Sequence, residues 1–172
     1  NVNSTTTISP GVTWGFGLGK GNTISSGAYT SIISGSGSSA SNNFSLIVNG
    51  KSNSVNNLYS TVLNGISCSV TSRNSTVING ATHVIGGVYS TVINGVNNII
   101  NGTSGIVGNG LGNKVYSNFS SVLNGWLNNL SVASNYSTII NGRFNSITSL
   151  RGFIGGAGDY NVVSASNGSV LT

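Results

Sequence analysis

Valine, isoleucine and leucine recur along this chain at a fixed phase of fifteen residues, between stretches of asparagine, serine, threonine and glycine. The phrase Ser-Thr-Val-Ile-Asn-Gly ends on Gly80 and again on Gly95. Closing glycines fall at Gly35, Gly50, Gly65, Gly80, Gly95, Gly110 and Gly125, each fifteen after the last, then at Gly142 and Gly156. Three before the glycine stand Ile32, Ile47, Val62, Val77, Val92, Val107, Val122, Ile139 and Phe153; five after it stand Ala40, Val55, Val70, Ile85, Ile100, Val115, Leu130 and Ile147. Two before it runs a second apolar column, including Val48, Leu63, Ile78, Ile93, Leu123, Ile140 and Ile154. Such self-similarity marks a repeat architecture.

A column that returns every fifteen residues means that the chain comes back above itself once per repeat. Two short β-branched segments per turn, separated by Asn-Gly corners, predict an all-β fold. It is a parallel β-solenoid of about nine coils, stacked about 4.8 Å apart. A helical repeat is excluded, because Asn, Gly, Ser, Thr and Val are all poor helix formers. Asparagine and glycine best tolerate the left-handed backbone that tight corners require.

Alternation along a strand then divides the faces. Ser, Val and Asn of the phrase are expected inside, with Thr and Ile outside. That assignment places an asparagine ladder inside the coil: Asn49, Asn64, Asn79, Asn94, Asn109, Asn124 and Asn141. A second asparagine-rich column, Asn53, Asn98, Asn113, Asn128 and Asn145, is expected inside with the later valines. Stacked amides pass hydrogen bonds from coil to coil, so such side chains turn inward without being stranded. The column Val48, Leu63, Ile78, Ile93, Leu123 and Ile140 is left outside as an apolar stripe, which a monomer rarely keeps. It is the expected oligomer interface.

Residues 20–156 carry the repeat. Extra residues within 128–136 are expected to swell a corner. Residues 1–19 lack the phrase; Val2–Ile8 reads as extended and Pro10-Gly11 as a turn. This segment is expected either to cap the first coil or to leave as an arm that pairs with a neighbouring subunit. Residues 157–172 read as a fading coil and cap.

Composition narrows the function. Charged residues are 4% of the 172-residue chain, six cations against Asp159 alone. The cations stand singly, without the basic stripe that phosphate tracking needs, so nucleic acid is not the expected partner. No apolar run approaches the length of a membrane span. Disorder is excluded by the fixed phase of the aliphatic residues. With one cysteine, Cys68, no disulfide closes within the chain. Methionine is absent even at position 1, as in a processed product or a fragment.

Phrases such as YSTVLNG-ISCSVTSRNSTVING and FSSVLNGWLNNL resemble the head repeats of YadA-like trimeric autotransporter adhesins and related repeats of viral fibre proteins. The resemblance covers about residues 22–159. It implies a left-handed β-roll that trimerises. The coil is slightly longer here, Asn precedes the glycine where an aliphatic residue is common, and neither neck motif, coiled-coil stalk nor membrane anchor is present. Autotransport is therefore not implied.

Candidate chemistry is sparse. No cluster of acid–base groups supports an enzyme, a resident metal or a cofactor. Cys68 and His83 share the column three after the glycine, and are read as substitutes for asparagine in a ladder rather than as a nucleophile or metal pair. Sequons at Asn43, Asn74, Asn101, Asn118, Asn129 and Asn135, with Asn3 and Asn167, are candidates for glycosylation in a secretory setting. Thr61, Thr76 and Thr91 form a short threonine ladder, the hallmark of ice-binding solenoids; the column drifts to Ser31, Leu46, Ile106 and Ser121. The expected function is a non-enzymatic structural protein. Its subunits would self-associate as a trimer or filament into an extracellular, cell-surface or virion fibre, with adhesive duty toward a host surface or glycan. An ice-binding or host-ligand-binding module is the alternative.

Overall fold

The computed structural model describes residues 6–172. The sequon at Asn3 and the first five residues of the N-terminal segment lie outside them. The fold is an all-β parallel solenoid of eleven coils, each contributing one strand to each of two eleven-stranded sheets. Sheet 1 runs from Thr7–Ile8 to Val162–Val163, and sheet 2 from Gly15–Gly17 to Ser169–Leu171. Neighbours are parallel and in register with the repeat: Val62, Val77 and Val92 stack in sheet 2, as Val70, Ile85 and Ile100 do in sheet 1.

One local device, used twice per coil, produces this shape. A residue with φ near +55° reverses the chain; the next side chain points inward and is polar; the next points outward; the fourth is an inward aliphatic. Tyr59-Ser60-Thr61-Val62 and Ser67-Cys68-Ser69-Val70 are the two copies in one coil, with φ of 54° at Tyr59 and 56° at Ser67. Fifteen is thus eight plus seven. A left-handed backbone costs a non-glycine residue about 1–2 kcal/mol, which the inward polar side chain of each device offsets with hydrogen bonds.

The core between the sheets is one aliphatic side chain thick from each side. Ile47, Val62, Val77, Val92 and Val107 from sheet 2 meet Val55, Val70, Ile85, Ile100 and Val115 from sheet 1, all at 0% exposure. Because the coils are this thin, stability is carried by contacts between neighbouring coils, as in other solenoids.

Three expectations are corrected. There are eleven coils rather than about nine, because segments lacking the phrase still pair. Thr7–Ile8 pairs with Thr23–Ile24, Gly15–Gly17 with Thr30–Ile32, and Val162–Val163 with Ser146–Ile147. Residues 6–19 thus form the first coil, stacked on the second coil of their own chain, with Pro10-Gly11 at a turn.

The asparagines before the closing glycines do not face inward. Asn49, Asn64, Asn79, Asn94, Asn109, Asn124 and Asn141 are all exposed. Alternation ends at the corner, so Ile78 and Asn79 both point out. Asn49 and Asn79 instead accept the N–H of their own glycine, Gly50 and Gly80, at 2.8 and 2.9 Å.

The tenth coil is slipped by one residue from the expected register. Ile154 pairs with Ile139 and is fully buried, whereas Phe153 pairs with Thr138 on the outside. A slip of one residue exchanges the faces of a strand. Gly158, not Gly156, lies over Gly142. The two extra residues of the long repeat fall between Leu130 and Thr138, where pairing changes from Val115 with Leu130 to Ser121 with Thr138.

Candidate interaction surfaces and the inner ladders

Two polar ladders run up the inside of the solenoid, one at each corner. At the first, serine hydroxyls donate to a carbonyl of the next coil and accept a backbone N–H from it, with Gly105 and Gly152 standing in the column without a hydroxyl. Ser75 Oγ donates to the Gly87 carbonyl at 2.9 Å and accepts from Ser90 N at 3.1 Å. At the second, an asparagine does both tasks. Asn98 Nδ2 donates to the Gly110 carbonyl at 3.0 Å, and Asn98 Oδ1 accepts from Asn113 N at 3.0 Å. Asn22, Ser38, Asn53, Cys68, His83, Asn98, Asn113, Asn128 and Asn145 occupy this column, all buried. The inward position of the second asparagine column is therefore as expected, and Cys68 and His83 are two of its rungs.

Those two rungs differ chemically from the rest. Burial pushes the Cys68 thiol up, and it donates to the Gly80 carbonyl at 3.7 Å. Burial pushes the His83 imidazole down from its ordinary 6.5. Its Nδ1 accepts the Asn98 N–H at 3.2 Å, while Nε2 is buried without a hydrogen-bond partner. Among the described residues no group of three His, Cys, Asp or Glu side chains is placed to hold a metal ion.

The outer surface is unusually apolar. Ile78, Ile93, Leu123 and Ile140 are 38–43% exposed, and Val48 and Leu63 are half-buried in the same column. On the other side of the Asn-Gly corner runs a further apolar column, Ile66, Val96, Leu111 and Trp126, 40–55% exposed. A groove of about 500 Å³ follows the corner, floored by glycines and bordered by Asn79, Asn94, Ile66 and Val96. A second hollow of about 530 Å³ opens beside it against Val84, Ile99, Leu111, Trp126 and Lys114.

An aromatic staircase stands at the serine corner, six residues before the closing glycine. Trp14, Tyr29, Phe44 and Tyr59 stack with near-parallel rings at centroid spacings of 6.4, 5.1 and 4.8 Å, and Phe119 stacks on Tyr136 at 5.2 Å. Sequence reasoning passed over this column. Its signal was the Tyr or Phe that opens most copies of the phrase.

The sequons are spread around the coil. Asn43, Asn101, Asn118 and Asn167 are exposed, whereas Asn74, Asn129 and Asn135 are half-buried. Asn43, Asn118 and Asn135 already use Oδ1 to accept the N–H of Ala28, Thr103 and Asn118. Thr61, Thr76 and Thr91 lie in register on the outside of sheet 2. Lys20, Lys51, Arg73, Lys114, Arg143 and Arg151 are all exposed, and Arg143 pairs with Asp159 across one coil step, Nε to Oδ2 at 3.0 Å. Among the described residues no helix is long and apolar enough to cross a membrane. Compared with protein-family models and with curated proteins, the chain matches none.

Proposed function

We propose that this chain is a non-enzymatic structural subunit that associates laterally with copies of itself into a fibre or filament. Its setting is extracellular, at a cell or virion surface, and adhesion to a host surface or glycan is a compatible duty. The observation that carries the reading is the pair of outward apolar columns flanking the Asn-Gly corner, Ile78 and Ile93 on one side and Ile66 and Val96 on the other. From Ile33 to Ile140 the stripe spans about 35 Å at about 4.8 Å per coil. With only seven charged side chains (six cations and one carboxylate), the chain has little with which to keep such a stripe in water. The resemblance to adhesin and fibre repeats favours three copies around one axis.

The test is sedimentation of Ile78→Asn combined with Ile93→Asn. Both residues face out, so the β-signal in circular dichroism should persist while the assembly dissociates to smaller species. An unchanged mass removes the stripe as the interface.

A second reading, binding to a regular solid such as ice, is favoured by a different face from the one expected. Two residues beyond Thr61, Thr76 and Thr91 stand Leu63, Ile78 and Ile93. The outer face of sheet 1 instead carries two small polar columns side by side: Thr23 and Ser25, Ser39 and Ser41, Ser54 and Asn56, Ser69 and Thr71. On this reading, thermal hysteresis appears at micromolar protein, is lost on Ser54→Tyr and survives Thr76→Tyr. No hysteresis in the parent chain eliminates it.

A further inference from the structure

Each asparagine of the ladder supplies an acceptor for the N–H of the rung above and a donor for a glycine carbonyl of the next coil. A carboxamide supplies both at any pH. His83 supplies the acceptor only as a neutral ring, with Nδ1 free to accept from Asn98 N at 3.2 Å and the proton on Nε2. Nε2 lies beside the backbone of Asn79 and Gly95 without making a hydrogen bond. The ring is fully buried. His83 directly precedes the strand Val84–Ile85, the sixth of eleven in sheet 1, so it sits on the middle coil.

We infer that His83 is an acid-operated latch: protonation of Nδ1 removes the acceptor for Asn98 N–H and opens the stack at the middle coil. The protonated ring would place an N–H against that N–H and a positive charge inside the solenoid. No opposite charge faces it, and the neighbouring backbone groups of Asn79 and Gly95 offset the burial only in part. The rungs on either side are the Cys68 thiol and the Asn98 amide, the remaining neighbours are backbone carbonyls, and the lining aliphatics do not titrate. The chain's one side-chain carboxylate, Asp159, pairs with Arg143 on the outside near the C-terminal end. The adjacent rung is also weak, since Cys68 holds the Gly80 carbonyl only through sulfur at 3.7 Å.

The sign follows from the direction of the shift. Burial lowers the folded-state pKa of His83 below its ordinary 6.5, so the unfolded chain binds the proton more readily. The stability from the neutral ring is fully present above about pH 6.5 and is lost as the pH falls through the folded value. This is the only histidine, and the Arg143 guanidinium holds Asp159 below the usual carboxylate range. Between pH 7.5 and 4.5 the response is therefore that of one side chain.

The experiment compares urea unfolding and amide-exchange protection of the parent chain and His83→Asn at pH 7.5 and 4.5. In the parent, the folding equilibrium should weaken by at most about 100-fold, the limit set by protonation of an unfolded imidazole at pH 4.5, and protection of the Asn98 amide should fall first. His83→Asn restores the prevailing rung and should be flat across the same range. Cys68→Asn changes the neighbouring rung but keeps the ring, so it should retain the pH dependence. Identical profiles for the parent and His83→Asn would overturn the latch, as would a folded-state imidazole titrating near 6.5 with Asn98 protection unchanged.

Discussion

Asn128 holds on to Asn113 twice: its backbone N–H donates to Asn113 Oδ1 at 3.0 Å and its side-chain Nδ2 donates to the same oxygen at 3.1 Å. Asn113 Nδ2 meanwhile donates to the Gly125 carbonyl at 2.9 Å. One side chain thus satisfies two backbone groups of the coil above. Asn113→Ala leaves the buried N–H of Asn128 and the Gly125 carbonyl without partners. At about 1–3 kcal/mol for each stranded group, the substitution should cost about 3 kcal/mol in urea unfolding. Exchange protection should fall most at coils bearing Asn113 and Asn128. A cost below about 1 kcal/mol would mean that water enters and replaces the amide.

Glycine is required at the asparagine corner for a reason separable from its φ. Gly110 has φ of +138°, and a Cβ there would collide with the Gly125 carbonyl of the next coil. Gly21 has φ of +65°, and its nearest neighbouring atom is 4.0 Å from the ideal Cβ. Gly21→Ala should therefore cost only the left-handed penalty, about 1–2 kcal/mol. Gly110→Ala must also push two coils apart and should be the worse by at least about 2 kcal/mol, the scale of overpacking. Melting both variants beside the parent checks the ordering, and equal losses would show that φ alone selects glycine.

Much of this architecture was legible in the sequence, because stacking copies a column verbatim from coil to coil. The aliphatic columns ending on Val77 and Ile85 gave the period, both sheets and the core. Alternation does not carry through the whole phrase, although Thr76–Ala81 is one strand. That strand bends beyond Val77, so Ile78 and Asn79 are both exposed. The true inner ladder, Asn53 through Asn145, was visible as a column, but its equivalence to the Ser60, Ser75 and Ser90 column was not. That equivalence depends on φ near +55° at residues as different as Tyr59 and Ser67, and no residue preference announces it. Run of glycines Gly155-Gly156 likewise hid the corner at Gly158, which put Phe153 where Ile154 belongs. The apolar stripe could be located from sequence, since outward positions follow from inward ones, but its occupant is not encoded in a single chain's periodicity.

The aromatic staircase has a measurable share of stability. Phe44 lies between Tyr29 and Tyr59 at centroid distances of 5.1 and 4.8 Å, with φ of 57°. Phe44→Ala should lose both stacks, about 1–3 kcal/mol in total. Phe44→Asn loses the same stacks but recovers part of the backbone penalty, because asparagine tolerates this conformation; Asn74 occupies the same column at φ of 55°. The asparagine variant should melt above the alanine variant. The reverse order would show that tolerance of the left-handed backbone does not govern this corner.

Cys68 offers a probe of coil opening and the alkaline counterpart of His83. The thiol is fully buried, so alkylation by iodoacetamide requires the fifth coil to open. Native protein should react far more slowly than the urea-unfolded chain, and the ratio measures the opening equilibrium when reclosing is fast. Burial raises the folded-state pKa of the thiol above its ordinary 9.0, so its contribution to stability is fully present below about pH 9. It is lost as the pH rises through the folded value. Cys68→Ser keeps a small hydroxyl rung of the kind found at Ser38, whose Oγ accepts from Asn53 N at 3.2 Å, and removes the titrating thiol. Its loss of stability between pH 8 and 10 should be smaller than the parent's. Cys68→Asn should go further, replacing the 3.7 Å sulfur contact by a carboxamide and gaining about 1 kcal/mol at neutral pH. A destabilised Cys68→Asn would mean that the Cys68 and His83 rungs fit one another and are not two independent departures from the ladder.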